Sequence, residues 1–206
     1  MESTLSNGNI EEKSFDADEV QEAIARMYEI YRYLLPKESQ MGKVEQRVNN
    51  GTIVWEIDKA ISTEGKSFAR ALMKLQEARK TGVIPSKIDK YCSILECLYA
   101  INKNHKRNIS KITATYIGRD SVEKEEINSN MRLAYGIRSD YSHGDSLKFL
   151  NENDVDDLVR LSSILDDYVR RVFRKVLENP ELNYDIASGR KTEVRQYFKR
   201  LSDSKE

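Results

Sequence analysis

Tyr91-Cys92-Ser93-Ile94-Leu95-Glu96-Cys97-Leu98-Tyr99-Ala100-Ile101 is apolar on nearly every face of a helix. A helix of that kind belongs in the middle of a bundle, since no side of it gains by facing water. Glu96 is its one acidic residue. A carboxylate left charged and alone among apolar neighbours costs several kcal/mol, so Glu96 is expected within hydrogen-bond reach of Arg138 or of a buried backbone donor. Upstream, Gly82 and Pro85 end the preceding helix, and Ser86 with Asp89 reads as a capping pair opening this one. Downstream, Asn102-Lys103-Asn104-His105-Lys106-Arg107-Asn108 reads as a basic loop.

The same periodic reading extends in both directions. Towards the N-terminus, Phe68, Leu72 and Leu75 share one helical face. Ile53, Ile57 and Ile61 repeat the spacing, and Ser62-Thr63-Glu64-Gly65 separates the two stretches. Residues 37–51 read as a polar connection with Gly42 and Asn49-Asn50-Gly51 as turn signals. Before it, Val20, Ile24, Met27, Tyr31, Leu34 and Leu35 form an amphipathic helix stopped by Pro36. Residues 1–15 are polar and lack periodicity, as a mobile tail would. Towards the C-terminus, Ile109, Ile112, Tyr116 and Ile117 give a short helix closed by Gly118. Asp120 and Glu123 make a capping box for the next, whose buried stripe is Ile127, Met131, Ala134, Tyr135 and Arg138. A last long helix starts near Asn151 or Asp154 and carries Val155, Leu158, Leu165, Val169, Val172 and Val176 to Pro180. Val194, Tyr197, Phe198 and Leu201 mark a shorter closing helix. Tyr28 and Trp55 are expected in the core.

Composition agrees with an all-α chain. Nine glycines and three prolines in 206 residues are too few for a strand-rich sandwich, which needs a turn signal every ~8–12 residues. No apolar run reaches the roughly 18 residues needed to span a bilayer, and Met1-Glu2-Ser3-Thr4 opens no signal peptide, so the expected compartment is the cytoplasm. Lys plus Arg and Asp plus Glu balance at 34 each, so net charge does not draw this molecule to nucleic acid; local basic patches would have to. Cys92 and Cys97 match no zinc pattern and, five apart on one helix, point to different faces; both are expected as packing residues. No metal site and no cofactor are expected.

One segment is equipped for chemistry: Arg138-Ser139-Asp140-Tyr141-Ser142-His143-Gly144. On an unbroken helix an offset of five places Arg138 and His143 about 140° apart around the axis. If the helix ends within Ser-Asp-Tyr-Ser, His143 folds back beside Arg138, and Asp140 orients the imidazole or holds the guanidinium. Arginine offers phosphate a fixed fork of donors, and histidine titrates near neutrality. The structural alternative is a buried Arg138–Asp140 ion pair with His143 merely at a helix end.

Residues 66–178 resemble the HEPN superfamily of helical-bundle ribonucleases, most closely its ApeA-like branch. Ile94-Leu95-Glu96-Cys97-Leu98 is similar to the family's apolar helix with a Leu-Glu pair. Tyr135-Gly136-Ile137-Arg138-Ser139-Asp140-Tyr141-Ser142-His143-Gly144 is similar to its signature, Tyr-x-x-Arg-Ser leading into R-x4-H and glycine. Leu158 to Leu177, with Arg170 and Arg171, is similar to its closing helix. The resemblance implies a HEPN-type bundle over 66–178; residues 1–65 and 180–206 lie outside it and are read from their own pattern as a disordered tail (1–15), an N-terminal helical extension (16–65) and a C-terminal helical tail (180–206). It implies a metal-independent endoribonuclease of a toxin or phage-defence system, working as a homodimer with both motifs in one cleft. An antitoxin or defence partner protein is the further expectation. Carried over, Arg138 and His143 are the catalytic pair, with Asp140 and Glu96 beside them. Ser139, Tyr141, Lys106 and Arg107 are candidate RNA contacts. Gly144-Asp145 after His143 departs from the His-x-Tyr of the branch silenced by tyrosine adenylylation. The runner-up is a catalytically silent module binding RNA, a nucleotide or a partner protein. His105 is expected in a solvated loop or on an RNA backbone. Arg170, Arg171, Arg174 and Lys175 are expected on a solvated face or bordering the cleft. Arg190, Lys191, Arg195, Lys199 and Arg200 are expected on a mobile terminal helix.

Overall fold

The computed structural model describes residues 5, 7, 8, 14, 16–34, 46–49, 52–55, 67–101 and 105–203. Among them the chain forms α1 (Ala17–Leu34), a hairpin of β1 (Gln46–Asn49) and β2 (Thr52–Trp55), α2 (Ser67–Lys80), α3 (Ile84–Tyr99), α4 (His105–Ile117), α5 (Ser121–His143), a 3-10 turn (Lys148–Asn151), α6 (Val155–Glu178), α7 (Pro180–Ala187) and α8 (Lys191–Asp203). The class is all-α, and the hairpin is the exception within it. No helix among the described residues is long and apolar enough to cross a membrane.

α3 occupies the centre, against α2, α5 and α6, with α4 and α8 closing over it. Ile88, Tyr91, Cys92, Ile94, Leu95, Leu98 and Tyr99 are all buried, which is the outcome of an apolar surface on every side. The other helices turn one stripe inward: Phe68 and Ala71 from α2, Ile109 and Ile112 from α4, Ile127, Met131 and Ala134 from α5, and Leu165, Val169, Val172 and Val176 from α6. Val155, read as the start of that last stripe, is instead exposed.

Several boundaries differ from the sequence reading, each for a local reason. Pro85 sits in the first turn of α3, where its missing N–H costs nothing and its φ suits a helix, so it starts a helix rather than ending one. Ser86 and Asp89 therefore lie inside α3 and do not cap it. Thr52–Trp55 is a strand, so Ile53 belongs to no helix; Ile57, Ile61 and the break at 62–65 lie outside the described residues. β1 and β2 pair antiparallel with Val48 opposite Ile53 and Asn49 opposite Thr52. That register leaves Asn50-Gly51 between the strands, the strongest dipeptide signal for a tight hairpin, set among β-branched residues. Pro36, Gly42 and most of 1–15 also lie outside the described residues, as do the side chains of Tyr28 and Trp55.

At α4–α5, Asp120 caps as expected, accepting from Glu123 N–H at 2.9 Å, but Glu123 turns its carboxylate to Arg119 instead of completing the box. A Cβ at Gly118 would come within 2.5 Å of the Ala114 carbonyl oxygen, so this tight turn admits no side chain. α6 opens with a full capping box between Asp154 and Asp157.

The C-terminal helices are part of the bundle and not a mobile tail. Leu182, Ile186, Val194 and Phe198 are buried. The Phe198 ring lies 4.5 Å from Tyr99 and 5.2 Å from Tyr116, centroid to centroid. Basic side chains bind the bundle across helix ends. Arg195 Nε donates to the Ala100 carbonyl after α3 (3.2 Å), Lys175 Nζ to that of Tyr116 (2.6 Å), Arg171 to that of Ile117, and buried Lys87 Nζ to that of Ala78 (2.6 Å). Each places a cation on unsatisfied carbonyls at the negative end of a helix. Arg171 also pairs with Glu123 at 3.0 Å and Arg170 with Asp166 at 2.6 Å, so these two do not form a free cationic face.

Because Phe198 is fully buried, Phe198→Ala is expected to cost about 3–5 kcal/mol in urea-induced unfolding. Unchanged stability would mean that α8 is not part of the cooperative unit.

Candidate active site

Glu96 does find its buried partner. Its side chain, 16% exposed, points from α3 towards α5, and one oxygen, Oε1, gathers three donors. These are Arg138 Nη1, Tyr135 Oη at 3.1 Å, and His105 Nδ1 at 2.8 Å from the first residue of α4. Arg138 also donates from Nε to Asp89 Oδ1 at 3.0 Å, and its guanidinium carbon lies 5.5 Å from the Tyr135 ring centroid. Lys90 Nζ stands 3.9 Å from the other Asp89 oxygen and 3.2 Å from Glu77.

The helical period assembles this cluster. Asp89 and Glu96 are seven apart on α3, two turns, so both carboxylates face α5. Tyr135 and Arg138, three apart, face back. The His105 side chain reaches Glu96 as α4 begins, which corrects the expected loop: residues 105–108 are helical, and 102–104 lie outside the described residues.

Electrostatics follow the geometry. Burial pushes the Glu96 carboxyl up, but the hydrogen bond and charge of Arg138, with His105 adding to them, outweigh it and hold the group below the ordinary carboxylate range. Burial alone would lower Arg138, yet Glu96 more than compensates and raises it. The two partners agree in direction, as a real ion pair requires. Burial, with the nearby carboxylate, drives the Tyr135 phenol far up, and burial does the same to the Cys92 thiol. Neither is therefore a nucleophile at neutral pH. Cys97, half-buried, is also raised by burial.

Two other candidates stand elsewhere. α5 runs unbroken to His143, so His143 does not fold back beside Arg138. It remains about 140° round the axis and about 7.5 Å further along it. Its ring is exposed and takes no hydrogen bond or ion pair among the described residues. The sequence also offers Gly144 as a helix stop, and α5 ends there: at φ 73° Gly144 supplies the left-handed cap. Asp145 N–H returns to Asp140 O at 2.8 Å and Gly144 N–H to Tyr141 O at 3.2 Å, a Schellman closure. Asp140 touches neither the imidazole nor the guanidinium. Buried, it accepts from Lys148 N–H at 2.9 Å and faces Lys148 Nζ at 3.6 Å, so it ties the 3-10 turn to α5. The Arg138–Asp140 ion pair offered as the structural alternative is absent too; Glu96 and Asp89 take that place. Ser139, Tyr141, Lys106 and Arg107 are all exposed.

Asp89 and His105 are thus the members that sequence reasoning missed. Asp89 carried a signal, an i, i+7 carboxylate pair on an otherwise apolar helix, but it was absorbed by the capping pattern. His105 carried none, because its approach to Glu96 depends on how α4 crosses α3.

The ion pair makes stability depend on pH. A carboxyl depressed in the folded state stabilises the fold above its unfolded value, and that contribution fades as pH falls through the lower folded value. Glu96→Gln is expected to lose about 3 kcal/mol near pH 7, the low end for opening a buried pair. The gap to wild type should close in acid, below the depressed value. Urea titrations of both proteins across that range check this; a gap independent of pH would contradict it.

No family model, no curated protein and no solved structure matches this chain.

Proposed function

We propose that the chain is a metal-independent endoribonuclease that cleaves RNA by attack of a 2′-hydroxyl on the adjacent phosphorus. The observation that supports it is the posture of Arg138. Two carboxylates from α3 grip the guanidinium by Nε and Nη1, so its plane is fixed and the Nη2 edge is left for a phosphate. A donor fixed before the substrate arrives stabilises developing phosphorane charge without reorganisation. The same residues carry the HEPN resemblance, and from it come the toxin or phage-defence setting, the homodimer and a restraining partner protein.

The arrangement also sets a demand. Asp89 and Glu96 together outweigh the single charge of Arg138, so attraction for RNA has to come from exposed neighbours such as Lys106 and Arg107. His143, on another face of α5, meets a phosphate held by Arg138 most readily from a second copy of the chain. A C2 dimer would give each centre an Arg138 from one protomer and a His143 from the other. The outweighed guanidinium charge is equally what favours the second reading, a silent helical module that binds RNA, a nucleotide or a protein.

The separating experiment is cleavage of single-stranded RNA in EDTA. Products are expected to end in 2′,3′-cyclic phosphate and 5′-hydroxyl. Arg138→Ala and His143→Ala are each expected to lose at least about a hundredfold in rate. Arg138→Lys, which keeps the charge but not the planar fork, is also expected to be poor. Sedimentation is expected to give a dimer burying at least about 1,200 Å². No cutting by wild type would leave the binding module.

A further inference from the structure

We infer that His105 is the general base of the Arg138 site, oriented by Glu96 so that its Nε2 takes the proton from the attacking hydroxyl. This rests on the ribonuclease reading and adds a residue to it that lies outside the R-x4-H segment.

An ionised carboxylate oxygen only accepts, and Glu96 Oε1 already receives Arg138 Nη1 and Tyr135 Oη. The contact with His105 Nδ1 at 2.8 Å is therefore made by an N–H on Nδ1. That fixes the tautomer: neutral His105 carries its proton on Nδ1 and a lone pair on Nε2. Carboxylate, imidazole and open nitrogen in that order are how a general base is held ready, because the carboxylate orients the ring and stabilises the imidazolium that forms.

Placement supports the same role. His105, with its side chain 40% exposed, is more open than Arg138 at 25% and Glu96 at 16%, so substrate reaches it while its orienting carboxylate stays sheltered. Arg138 and His105 bind one oxygen, which sets guanidinium and imidazole side by side within the reach of a single phosphodiester. His143 has neither an orienting partner nor a place on that face.

The step balances. The 2′-hydroxyl gives its proton to His105 Nε2 as the 2′-oxygen bonds to phosphorus, and the P–O5′ bond breaks. The leaving oxygen takes a proton from solvent or from a partner protomer's imidazole. The products are a 2′,3′-cyclic phosphate and a 5′-hydroxyl.

The test uses the full chain and a labelled single-stranded RNA in EDTA, comparing wild type, His105→Gln, His143→Gln, and His105→Ala with and without added imidazole. His105→Gln is expected to cut at least about a hundredfold more slowly while melting near the wild-type temperature. Imidazole is expected to restore cutting in His105→Ala in a saturable way, which a purely structural histidine would not allow. Wild-type cutting with His105→Gln unimpaired would overturn the assignment and leave the ribonuclease standing on His143. Loss of cutting without imidazole rescue would also overturn it, reducing His105 to a prop for Glu96. Wild type that does not cut would remove the ribonuclease reading, and this inference with it.

Discussion

The Glu96 carboxylate is the constraint around which this bundle is arranged. α3 is packed on most of its surface, so an acid in its middle, with only 16% of its side chain exposed, is largely withdrawn from water and must be answered from neighbouring helices. It is answered from two: Arg138 and Tyr135 on α5, and His105 at the start of α4. With Asp89 taking the second edge of Arg138, the polar cluster fixes how α5 lies along α3 and where α4 begins. Apolar residues at both 96 and 138 would pack as well and specify less. Replacing a buried pair by hydrophobic residues is often neutral for stability, so the network is better explained by what it positions than by what it stabilises.

The elements that sequence made legible were those dictated by one helix's own pattern. The central place of α3, the stripes of α5 and α6, the Asp154 cap and the Gly144 stop all follow from period and cap chemistry within a single element. Glu96–Arg138 was legible for a related reason: a misplaced charge on one buried stripe seeks its opposite on another. What stayed illegible depends on crossings. Phe198 reads as part of a short, strongly charged helix, and only its fit between Tyr99 and Tyr116 makes it core. His105 stands among lysines and an arginine, and sequence cannot say that its helix starts over Glu96. Pro85 was misread, since a proline that ends one helix and one that begins the next leave the same letter; Asn50-Gly51 was read as a turn signal, but the strands on either side of it were not seen.

The basic residues show how composition misleads about partners. Arg171, Lys175, Arg195 and Lys87 look available for an anion when counted along the chain. In the fold each spends its charge on carbonyls at another helix's C-terminus. Bundles with few glycines face this problem, because without left-handed caps the last carbonyls must be met by something else. Much of the positive charge is therefore internal scaffolding. Any surface for polyanions has to be built from the remainder, to which the exposed Lys106 and Arg107, next in sequence to His105, belong.

That distribution bears on what kind of catalyst the cluster can be. Arg138 with Asp89 and Glu96 sets two carboxylates against one guanidinium, so it does not gather a polyanionic substrate by long-range field. On the proposed reading it would act as a rigid donor edge, effective only once a phosphate has been placed against it by other contacts. It gains by being covered. A second copy laid over α5 would bring its own His143 and exclude water together. On the proposed reading, the unbroken run of α5 that sets His143 about 140° from Arg138 would turn that histidine away from its own chain's phosphate and leave it for a neighbour's.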